Sequence, residues 1–229
     1  MYVVIGTALL CFCLLQFLLW VVRASFWDSS NYVYLVFGVG ITRAVEYYFY
    51  TNPHLLDLDR LGSECTWEES VLLGISAGHF LYDIPLSLYL KEVWYLFLHH
   101  VLSFVIVTTA WYYNKSGFDL LLCLWLGEFS CPCCFWIFYY ENKPHEKKNN
   151  KWMKINEICF GLSFLICRFV IGPFLVYRLF MSRDTMMVVK LGCVMFYIVN
   201  FALLKNILLQ IVEIYKSFFS KTKGTQKIQ

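Results

Sequence analysis

The sequence predicts an all-α, polytopic membrane protein with about seven transmembrane helices. Of its 229 residues, 59% are hydrophobic and only 15% are charged, whereas soluble domains carry about 25% charge. Seven segments approach the roughly 20 apolar residues that cross a bilayer. Aromatic residues make up 20% of the chain, and Tyr and Trp collect at lipid headgroup depth. The net charge of +3 is too small to indicate a nucleic-acid partner.

The predicted spans follow one another with short connections, apart from residues 50–68 and 141–154. The first has no basic residue ahead of it and no small-residue cleavage site, so we interpret it as a retained span and not a signal peptide. The second and third contain ionisable residues. In the fifth, Pro132 predicts a kink because it frees a backbone carbonyl near residue 128. We place the spans at residues 2–22, 32–50, 69–90, 94–112, 118–140, 155–177 and 186–213.

The distribution of basic residues predicts the orientation. With seven spans, eleven Lys and Arg residues fall on one side of the membrane and four on the other. The positive-inside rule makes the eleven-residue side cytosolic, so the C-terminus is predicted in the cytosol. We divide the chain into an N-terminal helix and loop (1–30), a membrane domain (31–216) and a basic cytosolic tail (217–229). The sequon at Asn114 falls on the opposite side, and its glycosylation is left open.

Two pairs of ionisable residues lie inside predicted spans. Such side chains cost about 2.5 kcal/mol or more at the bilayer centre, so each is expected to face a partner or a polar cavity. Arg43 and Glu46 are three residues apart and share a face of the second span. His79 and Asp83 are four residues apart on the third, which would let the carboxylate orient the imidazole. A purely structural pair is the alternative in both cases.

His99 and His100 lie near the cytosolic start of the fourth span, roughly 8 Å from its edge. Adjacent residues point about 100° apart on a helix, so at most one is expected to do chemistry. Asp83 falls at a similar depth. The sequence therefore allows a cytosol-facing catalytic pocket with Asp83, His99 and His100, and interhelical hydrogen bonding by the histidines is the alternative.

Glu128 lies in the middle of the fifth span, beside the predicted kink. A kink next to a buried acid predicts a cavity wall. Arg168, on the sixth span, is the natural counter-ion for this carboxylate. Asn156 and Asn200 are further polar positions in the last two spans, and with His79, Arg43 and Glu46 they complete the polar residues expected around a cavity.

The ten cysteines do not form a disulfide framework, because nine of them lie in or beside predicted spans. Cys131, Cys133 and Cys134 are clustered but lack a second ligand pair at a matching spacing. No metal site is therefore predicted. Palmitoylation of Cys133 or Cys134 is left open.

Four segments, taken in order, resemble the TLC-domain family, which includes ceramide synthases, the translocating-chain-associated membrane protein and a ceroid-lipofuscinosis endoplasmic reticulum protein. They are Gly78-His79-Phe80-Leu81-Tyr82-Asp83, then Trp94 followed by His99-His100-Val101-Leu102-Ser103, then Gly127-Glu128-Phe129-Ser130-Cys131-Pro132, and Asn156 with Phe164 and Arg168. The resemblance implies that spans two to seven form a helical barrel around a lipid-sized cavity, with the histidines and the acid inside.

The chain departs from the ceramide synthase branch in the fifth span. In that branch, the residues matching His99 and His100 belong to an acyl-CoA-dependent N-acylation site. Ceramide synthases also carry a His-Asp pair and a further Asp where this chain reads Leu126-Gly127-Glu128. Half of the expected acid and base set is missing, so ceramide synthesis is not carried over. The chain is more similar to the smaller TLC-domain proteins, which are associated with membrane lipid composition and lipid sensing.

Three functions remain open. The first is binding of a long-chain lipid or fatty acyl group in the barrel, without a cofactor, as part of membrane lipid homeostasis. The second is an acyltransferase with acyl-CoA as co-substrate, in which His99 or His100 is base or nucleophile and Asp83 or Glu128 orients it. The third is a non-catalytic sorting or chaperone protein for membrane clients. We expect the endoplasmic reticulum rather than the plasma membrane, and a homodimer is left open.

Overall fold

The computed structural model describes residues 2–21, 26–53, 57–91, 93–141 and 151–225. Within these ranges the chain is helical apart from short loops and an isolated β-bridge between Glu64 and Lys115. The all-α prediction is confirmed. The elements are α1 (Tyr2–Trp20), α2 (Phe26–Thr51), a 3-10 turn (Leu58–Arg60), α3 (Trp67–Tyr89), α4 (Trp94–Tyr113), α5 (Gly117–Glu128), α6 (Cys131–Glu141), α7 (Lys151–Leu165), a π-helical segment (Ile166–Ile171), α8 (Gly172–Met181) and α9 (Met187–Thr225).

Five helical stretches in the described ranges are long and apolar enough to cross a membrane, so the chain is a multi-pass membrane protein. They are Tyr2–Trp20, Trp67–Tyr89, Trp94–Tyr113, Lys151–Met181 and Met187–Lys205. The predicted second span corresponds to α2, which has 26 residues but does not reach the same apolar character. The predicted fifth span is divided between α5, with 12 residues, and α6, with 11. The predicted number of seven spans is therefore not established.

The predicted kink in the fifth span is a break between two helices. α5 ends at Glu128, and α6 begins at Cys131, one residue before Pro132. The last carbonyls of a helix have no partner within it, and Pro132 has no N–H to donate. The break therefore leaves backbone acceptors of α5 available to side chains of other helices.

α1 packs on the outside of the bundle, against α3 and α2. Its buried residues recur every three or four positions and so form one face; they are Val4, Thr7, Ala8, Cys11 and Leu15. The contact with α3 is close, because a Cβ atom on Gly78 would lie 2.4 Å from the carbonyl oxygen of Val4. Glycine at position 78 therefore lets the two backbones approach.

One end of the bundle is closed by a set of buried hydrogen bonds, which we call the polar cap: residues 57–66, 114–116 and 182–186 with the side chains of Glu69 and Asp119. Both carboxylates are fully buried. Asp119 accepts hydrogen bonds from the Gly62 N–H and the Thr185 hydroxyl, at 3.0 and 3.2 Å. Glu69 accepts from Tyr48 at 2.8 Å and from Arg60 at 3.2 Å. The cap thereby joins loops that are distant in sequence.

The positions of the basic and aromatic residues are those expected for a helical bundle surrounded by a bilayer. The four basic residues predicted to share one side of the membrane all lie at the polar-cap end: Arg60, Lys115, Arg178 and Arg183. Exposed Tyr and Trp side chains lie at both ends of the helices, as expected for aromatic belts at the two interfaces. They include Tyr50, Trp67 and Tyr113 at the cap end, and Tyr89, Trp94 and Trp152 at the other.

Candidate functional site

A cavity lies between α3, α4, α5, the π-helical segment, α8 and α9. Its wall is mostly apolar, and four of the polar side chains predicted for a cavity line it: His99, Glu128, Arg168 and Asn200. α1 contributes no lining residue, as expected of the helix that precedes the predicted barrel. α2 is also absent from this wall and instead borders a smaller adjoining cavity.

The polar residues are gathered at one end of the cavity. The four helical stretches of its wall that carry them, α4, α5, the π-helical segment with α8, and α9, each begin or end at the polar cap. His99, Glu128, Arg168 and Asn200 all lie roughly 12 residues from the cap end, or roughly 18 Å at 1.5 Å per residue. Nearer the cap the wall is apolar, with Ile106, Val107, Leu120 and Leu175. The cavity is therefore polar at one end and apolar at the other.

The cavity has a volume of about 100 Å³. This is smaller than the cavity of about 150 Å³ that holds one benzene molecule in an engineered protein. Three aromatic side chains, those of Phe80, Phe196 and Tyr197, are among the lining residues. The cavity is therefore smaller than the lipid-sized one that the resemblance implies, and in this conformation it accommodates only a segment of a long chain.

Arg168 is the only basic residue with a permanent charge among the described residues that line the cavity. It lies in the π-helical segment and donates to the Gly127 carbonyl at 2.6 Å and to the Asn200 side-chain oxygen at 3.1 Å. The break after Glu128 supplies this carbonyl, because α5 has no further turn to use it. The expected ion pair with Glu128 is thus replaced by two hydrogen bonds to neutral acceptors.

The backbone around Arg168 is held by α9. A π-helical turn frees a carbonyl from the regular pattern, and the Tyr197 hydroxyl donates to the Arg168 carbonyl at 2.9 Å. Gly172 permits this contact, because a Cβ atom there would lie 2.6 Å from the Tyr197 oxygen. The sequence analysis did not identify Tyr197 or the π-helical segment, and no local pattern in the sequence distinguishes that segment from an ordinary helix.

His99 lies at the polar end of the cavity between aromatic rings. The centroid of its imidazole is 5.0 Å from that of Phe196 and 6.4 Å from that of Phe80, both in edge-on geometry. The adjacent His100 points elsewhere and does not line the cavity. The prediction that only one of the two histidines can occupy the site agrees with this placement.

Asp83 lies behind the cavity wall, between His79 and His100. Its carboxylate oxygen Oδ2 is 3.3 Å from His79 Nε2 and 3.5 Å from His100 Nδ1. The predicted contact between His79 and Asp83 is present, and it joins α3 to α4 through His100. The pocket predicted to contain Asp83, His99 and His100 together does not form. The Asp83 carboxylate contacts His79 and His100, whereas His99 lines the cavity without either of its predicted partners.

The smaller cavity adjoins the first one across Glu128, which lines both. His79 also lines this smaller space, where its ring stacks on Phe37 with centroids 5.2 Å apart. Glu128 is therefore placed between the candidate site and the cluster of His79 and Asp83.

Three predicted cavity residues lie elsewhere. Arg43 and Glu46 pair with each other as their spacing predicted, but the Arg43 side chain is 70% exposed on the outer surface of α2. Glu46 also accepts a hydrogen bond from the Trp125 indole at 3.1 Å. Asn156 donates to the Cys133 carbonyl at 2.8 Å and so connects α7 to α6. These residues hold helices together and do not line the cavity.

Two structural acids were missed by the sequence analysis. Glu69 and Asp119 are fully buried in the polar cap, although each lies at the start of a helix. The signal that could have found them is the spacing Thr66-x-x-Glu69 and Ser116-x-x-Asp119, which is typical of a capping box. The complete capping box is observed at Thr66 and Glu69.

Some predictions fall where they are not tested. Among the described residues, no group of three or more His, Cys, Asp or Glu side chains is placed to hold a metal ion. The side chains of Cys134 and of the basic tail, together with residues 226–229, lie outside the described part of the chain. Cys133 is half-buried, and Asn114 is exposed at the C-terminal end of α4.

The fold and the site define an all-helical, multi-pass membrane protein with an internal cavity that is mainly apolar. Comparison with protein families identifies it further. The family model described as the TLC domain matches residues 7–219, which extends from α1 into α9. The chain therefore belongs to the TLC-domain family. No curated protein and no solved structure gives a significant match.

Proposed function

We propose that the protein binds a long-chain lipid or acyl group in this cavity and takes part in membrane lipid homeostasis. The observation that supports the proposal is the gradient in the cavity wall. Apolar residues near the polar cap suit a hydrocarbon tail, and the residues around Arg168 suit a polar head. A few polar groups placed in an otherwise apolar cleft are typical of small-molecule sites.

Because the cavity is small, binding of a whole lipid requires a change in the protein conformation or a ligand that extends beyond the cavity. A volume of about 100 Å³ holds only part of a long chain. Binding of the whole ligand requires the helices of the wall to separate, or the end of the tail to pass between them. Both routes lead to the surrounding hydrocarbon, so the ligand does not need to cross water.

The proposal is tested by filling the apolar end of the cavity. Val107 lines it and is 3% exposed, whereas Val105, on the same helix, is 48% exposed. We expect Val107→Phe to reduce lipid recovered with the purified protein by about tenfold or more, because overpacking removes the space for the tail. Val105→Phe should leave the amount unchanged. Mass spectrometry of extracted lipid measures both, and thermal unfolding verifies that each variant is folded.

If Val107→Phe is folded and carries as much lipid as the wild type, the ligand is not in this cavity. If the wild-type protein carries no lipid and takes up none from vesicles, the proposal is wrong. Cross-linking to the spans of other membrane proteins in that case favours the sorting or chaperone function.

An acyltransferase is the second candidate, because His99 lines the same cavity as Glu128. The placement of Asp83 against His79 and His100 leaves Glu128 as the one of the two expected orienting acids that shares the cavity with His99. A purified acyltransferase would transfer a labelled acyl group from acyl-CoA and lose this activity in His99→Ala. A lipid-binding protein would retain lipid and show no turnover.

We also propose that the protein resides in the endoplasmic reticulum with its C-terminus in the cytosol. The four basic residues of the less basic side of the membrane all lie at the polar-cap end. By the positive-inside rule this end faces away from the cytosol, which supports the proposed orientation. An epitope tag at the C-terminus should be accessible when only the plasma membrane is permeabilised. A tag that becomes accessible only after the internal membranes are opened would reverse the orientation.

A further inference from the structure

Arg168 has more hydrogen-bond donors than partners. A guanidinium group carries five N–H donors, and two hydrogen bonds are made, to Gly127 and Asn200. The Nε atom is buried and has no hydrogen-bond partner among the described residues. Burial of an unsatisfied charged donor is costly. A ligand atom that accepts a hydrogen bond from Nε would remove this cost.

The charge of Arg168 is also not balanced by a carboxylate in ion-pair contact. Among the ion pairs of the described residues, none includes Arg168. Its two acceptors are a backbone carbonyl and an amide oxygen, both neutral, and its guanidinium carbon lies 5.7 Å from the centre of the Phe164 ring. A cation in a mostly apolar cavity at membrane depth is expected to mark a functional site. An anionic group is the natural partner.

The position of the guanidinium is fixed before any ligand arrives. Asn200 accepts from Nη1 and the Gly127 carbonyl from Nη2, while Tyr197 anchors the backbone of the same residue. A rigid, pre-oriented fork loses little conformational entropy when it binds a planar anion. The carboxylate group matches this fork with its two oxygens in one plane.

We infer that Arg168 binds the carboxylate of a fatty acid, whose hydrocarbon chain extends along the apolar wall toward Val107. The inference rests on the proposed lipid-binding function and specifies its ligand. Glu128 and His99 line the same end of the cavity. The negative charge of Glu128 opposes a second carboxylate, so this residue limits the affinity, and the ligand head lies on the Arg168 side.

The test compares ligands that differ only in the head group. Hexadecanoic acid, hexadecanol and hexadecanoyl lysophosphatidate are titrated into the purified full-length protein in detergent at mildly alkaline pH, which keeps the acid ionised. We expect Arg168→Gln to weaken binding of the acid by about 10- to 100-fold, since a charge-assisted pair is lost. Binding of the alcohol should not change. Glu128→Gln should strengthen binding of the acid, because the opposing charge is removed.

Two matched variants keep the test informative. Arg43→Gln removes an exposed charge outside the cavity and should leave the affinity for every ligand unchanged. Arg168→Lys keeps the charge but lacks the planar fork, so it should bind the acid more weakly than the wild type and more tightly than Arg168→Gln. If Arg168→Gln does not fold, as judged by thermal unfolding, the comparison of Arg168→Lys with the wild type decides.

The possible failures are distinguishable. If the wild type binds the alcohol as tightly as the acid and Arg168 variants change neither, the carboxylate assignment is wrong while the lipid-binding function stands. The assignment is also wrong if lysophosphatidate binds more tightly than the acid through Arg168. If the wild type binds none of the three ligands, the proposed function itself fails.

Discussion

The polar cap and the polar end of the cavity both bury charged residues, but they satisfy them differently. In the cap, Asp119 and Glu69 are fully buried and accept hydrogen bonds from backbone and side-chain donors. In the cavity, Arg168 retains a buried donor without a partner. The cap therefore has the properties of a structural joint, and the cavity those of a site that is complete only when a ligand is present.

The difference also appears in the neighbouring backbone. In the cap, the backbone that donates to Asp119 turns at Gly62, whose φ of +85° favours glycine. The cavity residue Arg168 lies in a π-helical segment, and such segments are frequent at functional sites. Variants of the cap should therefore mainly lower stability, and variants of the cavity should mainly weaken binding.

The largest loss of stability is expected for Asp119→Ala. This change leaves the Gly62 N–H and the Thr185 hydroxyl without their acceptor inside the cap. We expect the free energy of unfolding to fall by about 3 kcal/mol or more. Denaturation of the detergent-solubilised protein, followed by tryptophan fluorescence, measures the loss. Asp59→Ala is the control, because the Asp59 side chain is 88% exposed. Equal effects of the two changes would contradict a structural role for the buried cap.

Gly172→Ala should have the next largest effect. The added Cβ would lie 2.6 Å from the Tyr197 oxygen, so the contact that holds the Arg168 backbone must shift. We expect a destabilisation of about 1–3 kcal/mol, together with weaker lipid binding. The control is Gly40→Ala, where a Cβ meets no atom within 4 Å and helix propensity predicts a gain of about 0.5–1 kcal/mol. Adding Tyr197→Phe to Gly172→Ala should restore part of the lost stability, and no restoration would exclude the predicted clash.

Arg168→Met should change stability much less than Asp119→Ala. The substitution removes two hydrogen bonds to neutral acceptors, but it also removes the desolvation cost of a partly buried cation whose Nε has no acceptor among the described residues, and the two effects oppose each other. We expect a change within about 1 kcal/mol in the absence of ligand. Denaturation in delipidated detergent measures it, and a loss as large as that of Asp119→Ala would mean that Arg168 is a structural residue like those of the cap.

The smallest effect concerns the edge of the cap. Burial raises the pKa of the Cys65 thiol to about 11, and the nearby Glu69 carboxylate adds to the shift. A pKa raised this far leaves about 100-fold less thiolate at neutral pH than an ordinary cysteine has. Alkylation of Cys65 by iodoacetamide should therefore be slow at pH 7 and accelerate above pH 9, as measured by peptide mass spectrometry. Glu69→Gln should increase the rate, and a rate equal to that of the unfolded chain would contradict the burial of this thiol.

Helical period and hydropathy were sufficient to predict the helical class and the local pairs. Contacts between residues three or four apart, such as Arg43 with Glu46 and His79 with Asp83, follow from helix geometry alone. The grouping of His99, Glu128, Arg168 and Asn200 could be predicted only as a set of polar residues in spans. Their actual partners depend on which faces of the helices meet, and this is determined by packing between distant segments.

The less predictable features arise from the backbone. Sequence analysis assigned Arg168 to Glu128 because opposite charges attract. Instead, the break after Glu128 leaves the Gly127 carbonyl free, and Arg168 donates a hydrogen bond to it. The cavity is also smaller than the resemblance implied, and its lining includes Phe80, Phe196 and Tyr197. Which aromatic side chains line a cavity depends on helix rotation, which composition does not encode.

The π-helical segment also preserves the rotational phase between the two halves of its span. It accommodates one residue more than a regular helix of the same rise, so it absorbs the turn of about 100° that an added residue would otherwise impose on the residues after it. Deleting a single residue from 166–171 would return the segment to ordinary helix and leave Leu175 and Leu179 on their buried side, but it would remove the irregular turn from which the Arg168 carbonyl reaches Tyr197. A single-residue gap in this stretch would thus mark chains that keep the packing of the span and lose this hydrogen bond.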